Sequence, residues 1–241
     1  MKPLRLAALV AAALLVTLLL RWPLSWTVHW LPDSLHCAYP AGSVWRGRCA
    51  ALTVEQLRLG ETSWQLRPLG LLRGALTASV QSRQGPDRLM ADIELRPGGR
   101  RIARNVEAEL RLGEGLLQRS AMGLTGQLQL QLSRVVLDER TVREIEGTVT
   151  ARKLVQGASR ATPLGDYELV FPPGSSQASL RDLGGPLGVT GTLTLTGEPG
   201  YVVEGFVTVR PAAPQPLART IAMLGTPDSA GRRPFSFAGT Y

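Results

Sequence analysis

Beyond residue 30 the chain alternates apolar and polar side chains again and again, at the two-residue period of a strand with one buried face. The clearest stretch follows Gly126, where Gln127, Gln129 and Gln131 alternate with Leu128, Leu130 and Leu132. In a strand the leucines turn to a core and the glutamines to solvent or a partner. The same alternation marks Leu52 to Leu59, Gly74 to Val80, Ala91 to Leu95, Val106 to Leu112, Gly147 to Ala151 and Tyr167 to Phe171. It returns in Gly191 to Thr196, Tyr201 to Val209 and Pro234 to Gly239. About ten strands are therefore predicted, separated by turn signals such as Pro97-Gly98-Gly99 and Pro172-Pro173-Gly174. Asp182-Leu-Gly-Gly and Gly165-Asp-Tyr are also read as turns. Consecutive strands joined this way make a mostly antiparallel sheet, so the fold class is mainly β. Helical spacing is confined to Leu217, Ile221 and Leu224, with a second short candidate at Gly115 to Met122. Neither covers so many strands on both faces, so the sheet is expected to curl, fold on itself or leave a groove.

The first thirty residues follow another rule. From Leu4 to Leu20 only Arg5 and Thr17 are not apolar, and as a helix this run reaches roughly 25 Å, enough to span a bilayer when its flanks help. Lys2 and Arg5 favour a cytoplasmic start, Arg21 can snorkel at the far end, and Trp22, Trp26 and Trp30 suit the opposite membrane interface. A cleaved signal peptide would share the basic start and apolar middle. Arg21-Trp-Pro-Leu-Ser-Trp, however, stands where a peptidase requires small side chains, which favours a retained anchor. The expected organisation is an anchor and interfacial segment over 1–30, followed by a β domain over 31–241 outside the cytoplasm. In an oxidising compartment Cys37 and Cys49 could close a small loop as a disulfide, contributing about 3 kcal/mol on the chain-entropy model. The alternative is a pair of buried free thiols.

Composition narrows the chemistry. Among 241 residues there are 2 histidines and 2 cysteines, too few for most metal centres or thiol enzymes, and no GxGxxG, P-loop or metal-ligand spacing occurs. His29 and His36 both fall beside the predicted membrane segment, and the carboxylates are scattered with no pair singled out. No catalytic residue, metal, cofactor or small-molecule substrate is expected. The net charge is +8, with 27 Lys and Arg against 19 Asp and Glu. The arginines are spread singly rather than clustered and aromatics are only 5%, so nucleic acid is not the expected partner. Anionic lipid or an acidic protein surface fits the charge better.

Ordered short motifs resemble a known family. Ala41-Gly-Ser-Val-Trp-Arg-Gly-Arg, Trp64-Gln-Leu-Arg-Pro-Leu-Gly-Leu-Leu-Arg-Gly and Leu164-Gly-Asp-Tyr-Glu-Leu are followed by Leu183-Gly-Gly-Pro-Leu, Gly200-Tyr-Val-Val-Glu-Gly, Leu224-Gly-Thr-Pro-Asp and Gly231-Arg-Arg-Pro-Phe-Ser-Phe-Ala-Gly. Together with the amino-terminal anchor they resemble the type II secretion system protein N (GspN) family. The resemblance implies a non-enzymatic, single-pass inner-membrane protein with its bulk in the periplasm, supporting export of folded periplasmic proteins through contacts with other secretion subunits, whether the inner-membrane platform or the secretin. A looser similarity to AsmA-like periplasmic proteins implies, as the alternative, lipid handling by an apolar β groove. Within these motifs Trp45 and Trp64 each stand near an arginine, Arg46 and Arg67, and Trp and Arg are the residue types that dominate interfaces. Trp64, alternating with Leu66, reads more readily as core. Arg232 and Arg233 form either a solvated turn or a contact to an acidic surface.

Overall fold

In the computed structural model, the residues that can be described are Thr17, 22–27, 34–54, 57–113, 123–138, 141–157, 161–197 and 200–240. The expected spanning run over 4–20, Arg21 and Trp30, and the short helix expected at 115–122, lie outside them, apart from Thr17. Among the described residues no helix is long and apolar enough to cross a membrane.

The described chain is one antiparallel sheet of 14 strands. Its strands are β1 (Leu35–Ala38), β2 (Ala41–Gly42), β3 (Arg46–Val54), β4 (Leu57–Arg67), β5 (Leu76–Gln84), β6 (Asp87–Leu95) and β7 (Arg100–Leu112). They continue as β8 (Leu124–Asp138), β9 (Thr141–Gln156), β10 (Thr162–Phe171), β11 (Gln177–Gly184), β12 (Leu187–Leu195), β13 (Tyr201–Val209) and β14 (Arg233–Gly239). From β3 to β14 every strand pairs with its sequence neighbour, while β1 and β2 lie end to end along the outer side of β3. Two short helices, α1 (Leu24–Thr27) and α2 (Gln215–Ala222), and a 3-10 segment at Pro68–Arg73 accompany the sheet.

The sheet is not closed or strongly curled, which corrects the expected curling. Each hairpin adds its strand to the growing edge, and the first and last strands never meet. The run Leu52 to Leu59, expected as one strand, is the hairpin between β3 and β4, with Val54 opposite Leu57. The apolar positions shift from Leu52 and Val54 to Leu57 and Leu59, so the two-residue period breaks between Val54 and Leu57, where the chain reverses.

Register turns the alternation into two distinct faces, because residues opposite one another in an antiparallel pair share a face. Leu89, Ala108, Leu130, Val149, Leu169, Leu180, Gly191, Gly205 and Phe235 are successive partners, a row with no polar side chain across nine strands. One residue along, on the other face, Glu107, Gln131, Thr148, Val170, Ser179, Thr192, Glu204 and Ser236 follow one another. Helix α2 covers part of the apolar face, packing Leu217 and Ile221 against Leu187, Val189 and Val207. Phe235 fills the space over the glycine pair, and a Cβ at Gly205 would meet its ring at 3.0 Å and the Thr190 carbonyl oxygen at 2.3 Å.

Candidate functional site

Three of the residues singled out in the sequence, Trp45, Arg46 and Arg67, line one hollow of about 1260 Å³ where the β4–β5 connection turns. Its other walls include Glu94, Arg96 and Arg104, so four guanidinium groups face two nearby carboxylates, Glu94 and Asp92. The arrangement is built from the strands upward. Gly47 lets the Trp64 ring lie against β3, since a Cβ there would meet the ring at 2.4 Å. The Trp64 indole N–H then donates to the Val44 carbonyl at 3.0 Å, and the Leu66 N–H donates to the Trp45 carbonyl at 2.7 Å. Trp64 is thus the brace that holds the Val44–Trp45 turn in place, while Trp45 and Arg46 reach the hollow.

A bulge sets the charged floor. Asn105 adopts a positive φ of 50°, a conformation asparagine tolerates better than most, and the β6–β7 register shifts beside it. The shift puts Ile102 and Val136, exposed by 2% and 1%, on the mostly polar face, opposite Glu94 and Glu144. Over this small apolar pair lies a network of charge-assisted bonds. Arg96 and Arg104 each donate to Glu94 at 2.6 Å, and Arg134 donates to Glu144 at 3.2 Å, so the directly opposed Arg104 and Arg134 each have their own carboxylate. Arg67 donates to the Ser79 hydroxyl at 3.1 Å, Ser79 donates to Asp92 at 2.6 Å, and Asn105 donates to the same carboxylate at 3.2 Å. The Arg96 hydrogen bond holds Glu94 below its ordinary pKa against the opposing effect of burial. The Ser79 hydroxyl, helped by Asn105, does the same for Asp92. Both carboxylates stay ionised at neutral pH, and Arg46 and Arg67 remain exposed at the rim.

The segment preceding the sheet meets this corner. Pro23 bridges Ser43, and the Val44 N–H donates to the Trp22 carbonyl at 3.1 Å. Trp26, in α1, is 62% exposed. Cys37 and Cys49 are joined as a disulfide with Cα atoms 5.4 Å apart, tying β1 to β3 on the same side. Among the described residues no group of three or more His, Cys, Asp or Glu is placed to hold a metal ion.

Comparison with known proteins adds what geometry cannot. Residues 34–236 match the family model for type II secretion system (T2SS) protein N. The chain belongs to the type II secretion system protein N family. It is similar to the type II secretion system protein N of Aeromonas hydrophila, with 28% identity over 249 residues covering 97% of each chain. No solved structure matches it. The family is an accessory component of the secretion system, and the residues expected at its partner surface divide in two within this member. Trp45, Arg46, Trp64 and Arg67 gather at the corner described above, whereas Arg232 and Arg233 lie at the opposite end of the sheet, Arg233 as the first residue of β14. There Arg232 donates to Asp228 at 2.9 Å and stacks 4.7 Å from the centre of the Phe206 ring, and Arg233 donates to the Gly225 carbonyl.

Sequence reasoning missed one structural locus. Asp182, read as part of a turn, lies in β11, where its carboxylate pairs with Arg210 and accepts the Val189 N–H at 2.9 Å. Beside it Tyr167 donates to the Leu164 carbonyl at 2.6 Å, and burial, then the Asp182 charge, push its phenol up to about 12. The signal available was Ala178-Ser-Leu-Arg-Asp, a short alternation hidden by the glycines that follow it.

Proposed function

We propose that this protein is a non-enzymatic, inner-membrane-tethered component of the type II secretion apparatus whose β domain stands in the periplasm and acts through contacts with other secretion subunits. The segment before the sheet anchors the chain, and the Trp45–Arg46–Arg67 corner meets an acidic surface of a neighbouring subunit. The observation that carries this reading is the docking of Trp22 and Pro23 on Ser43 and Val44, immediately before Trp45 and Arg46. An anchor held there keeps the surplus guanidinium groups close to the membrane-proximal end of the sheet, where other anchored subunits are within reach. Fixing two partners near one membrane raises their effective concentration without any new contact.

The test is a deletion strain complemented with the full chain carrying Arg46→Glu and Arg67→Glu together. Secretion of the exported proteins falls while the protein's level and envelope integrity are unchanged, and a photo-crosslinker at Trp45 captures a secretion subunit. Normal secretion from that strain defeats the docking corner. Protease added to spheroplasts should digest the β domain, and protection there would defeat the periplasmic placement. A second reading, lipid handling, is favoured by the apolar row that extends beyond the cover of α2. A deletion strain with intact secretion and a leaky envelope would decide for it.

A further inference from the structure

We propose that two copies of this chain join through β14, edge to edge and antiparallel, continuing one sheet across a two-fold axis at Ser236. The starting point is Pro234. It pairs with Phe206 although proline has no N–H to give, so this pair must be of the type that exchanges no hydrogen bonds. By alternation Arg233, Phe235, Phe237 and Gly239 bond to β13, while the N–H and C=O groups of Ser236 and Ala238 and the C=O of Pro234 point away from the sheet. Among the described residues no strand pairs with that side.

Edge strands are ordinarily guarded by charge, interruption or cover. From Pro234 to Tyr241 this chain carries no charged side chain at all. Phe235 and Phe237 stack at 6.0 Å on the apolar face, and Phe237 is 45% exposed. The turn after α2, in which Met223 and Leu224 are exposed, is held to β14 by the Arg233 bond to the Gly225 carbonyl.

The edge itself selects the occupant. An acidic peptide would need free cations, but Arg232 is engaged by Asp228 and Phe206, and Arg233 by Gly225. Head-to-tail growth onto the other edge is blocked: that edge is split into strands of 4 and 2 residues by Tyr39 and Pro40, and beyond it Pro23 already occupies Ser43. A second β14, by contrast, is self-complementary. With Ser236 on the axis, Phe235 of each copy lies opposite Phe237 of the other, and Pro234 lies opposite Ala238. The ring stack doubles on one face, small residues meet on the other, and both Ser236 residues and each Ala238–Pro234 pair gain backbone hydrogen bonds. An isologous contact of this kind closes at two copies.

The experiment uses the full chain, in its membrane and in detergent. Single cysteines are placed at positions 234–238, with mass mapping to verify the Cys37–Cys49 bond in each variant. Self-crosslinking should peak at Ser236→Cys, because residues 238 of the two copies lie roughly 14 Å apart in this register. Sedimentation across a concentration series should show a dimer. Ala238→Pro, whose missing N–H the fold does not use, and Ser236→Lys, which opposes two cations on the axis, should each raise the dissociation constant roughly tenfold or more. A monomer throughout the series, a crosslinking maximum elsewhere, capture of Ser236→Cys only by a different protein, or dimers unaffected by both variants would overturn the proposal. Secretion is not the readout, so this inference and the docking corner succeed or fail separately.

Discussion

The two ends of the sheet solve the problem of an exposed edge in opposite ways. At the amino-terminal end β1 and β2 are short, the Cys37–Cys49 disulfide ties β1 to β3, and a lattice of arginines and carboxylates extends across the polar face beside them. At the carboxy-terminal end a seven-residue strand runs uninterrupted, free of charged side chains after Arg233, with a helix pressed on its apolar side. The first end is closed to strand addition and presents charge. The second presents backbone and rings. A single-layer sheet with no strand closing onto another can therefore present two surfaces of different chemistry at its two ends.

The contrast yields predictions of decreasing size. Removing Leu217 from under α2 should be the most damaging change at the carboxy-terminal end. Leu217→Ala should cost about 2–5 kcal/mol in urea unfolding, since the buried side chain fills a cluster with Leu187, Val189 and Val207. At the other end the main brace is covalent: reducing the disulfide, or Cys37→Ser with Cys49→Ser, should cost about 3 kcal/mol, a loss that Leu217→Ala should neither enhance nor mask, because the sites are far apart. A strong coupling between the two losses would mean that the ends are not independent.

Acid should separate the ends more gently. Glu94, held below its ordinary value of 4.5, and Asp92, held below 3.8, stabilise the fold fully above those values. Their contribution is lost as pH falls through the lower folded-state values, because the unfolded chain then binds protons that the folded chain resists. Urea midpoints should therefore drop steeply below about pH 4.5 in the wild type. The drop should be shallower in Glu94→Gln, which starts from a lower midpoint at neutral pH because Arg96 and Arg104 lose their partner. The smallest effect belongs to Arg232→Gln, which removes an exposed guanidinium from the Phe206 ring and should lower stability by about 0.5–1 kcal/mol in thermal unfolding.

Much of the architecture was legible because a sheet face needs only a two-residue period to be written. Tyr201 to Val209, read from alternation, coincides with β13, and Leu217 and Ile221 were spaced for the helix found there. The readings failed where a one-residue break in the alternation was read through, as between Val54 and Leu57, or where glycines disguise a strand, as after Asp182. Of the docking corner, Trp45, Arg46 and Arg67 could be picked out by residue type. Asp92, Glu94, Arg96 and Arg104 could not, because their meeting depends on a bulge at Asn105 and on cross-strand partners up to 13 positions away.

The linear pattern by itself determined that this chain becomes an antiparallel succession of strands with one greasy side and one wet side, since alternation and turn residues act locally and survive any global arrangement. Only the tertiary structure decided that the sheet stays open, which of its arginines meet carboxylates, and that among the described residues one edge is short and braced while no strand pairs with the outer side of the other. Those outcomes depend on cross-strand register, and register is fixed by contacts between residues that the sequence holds far apart.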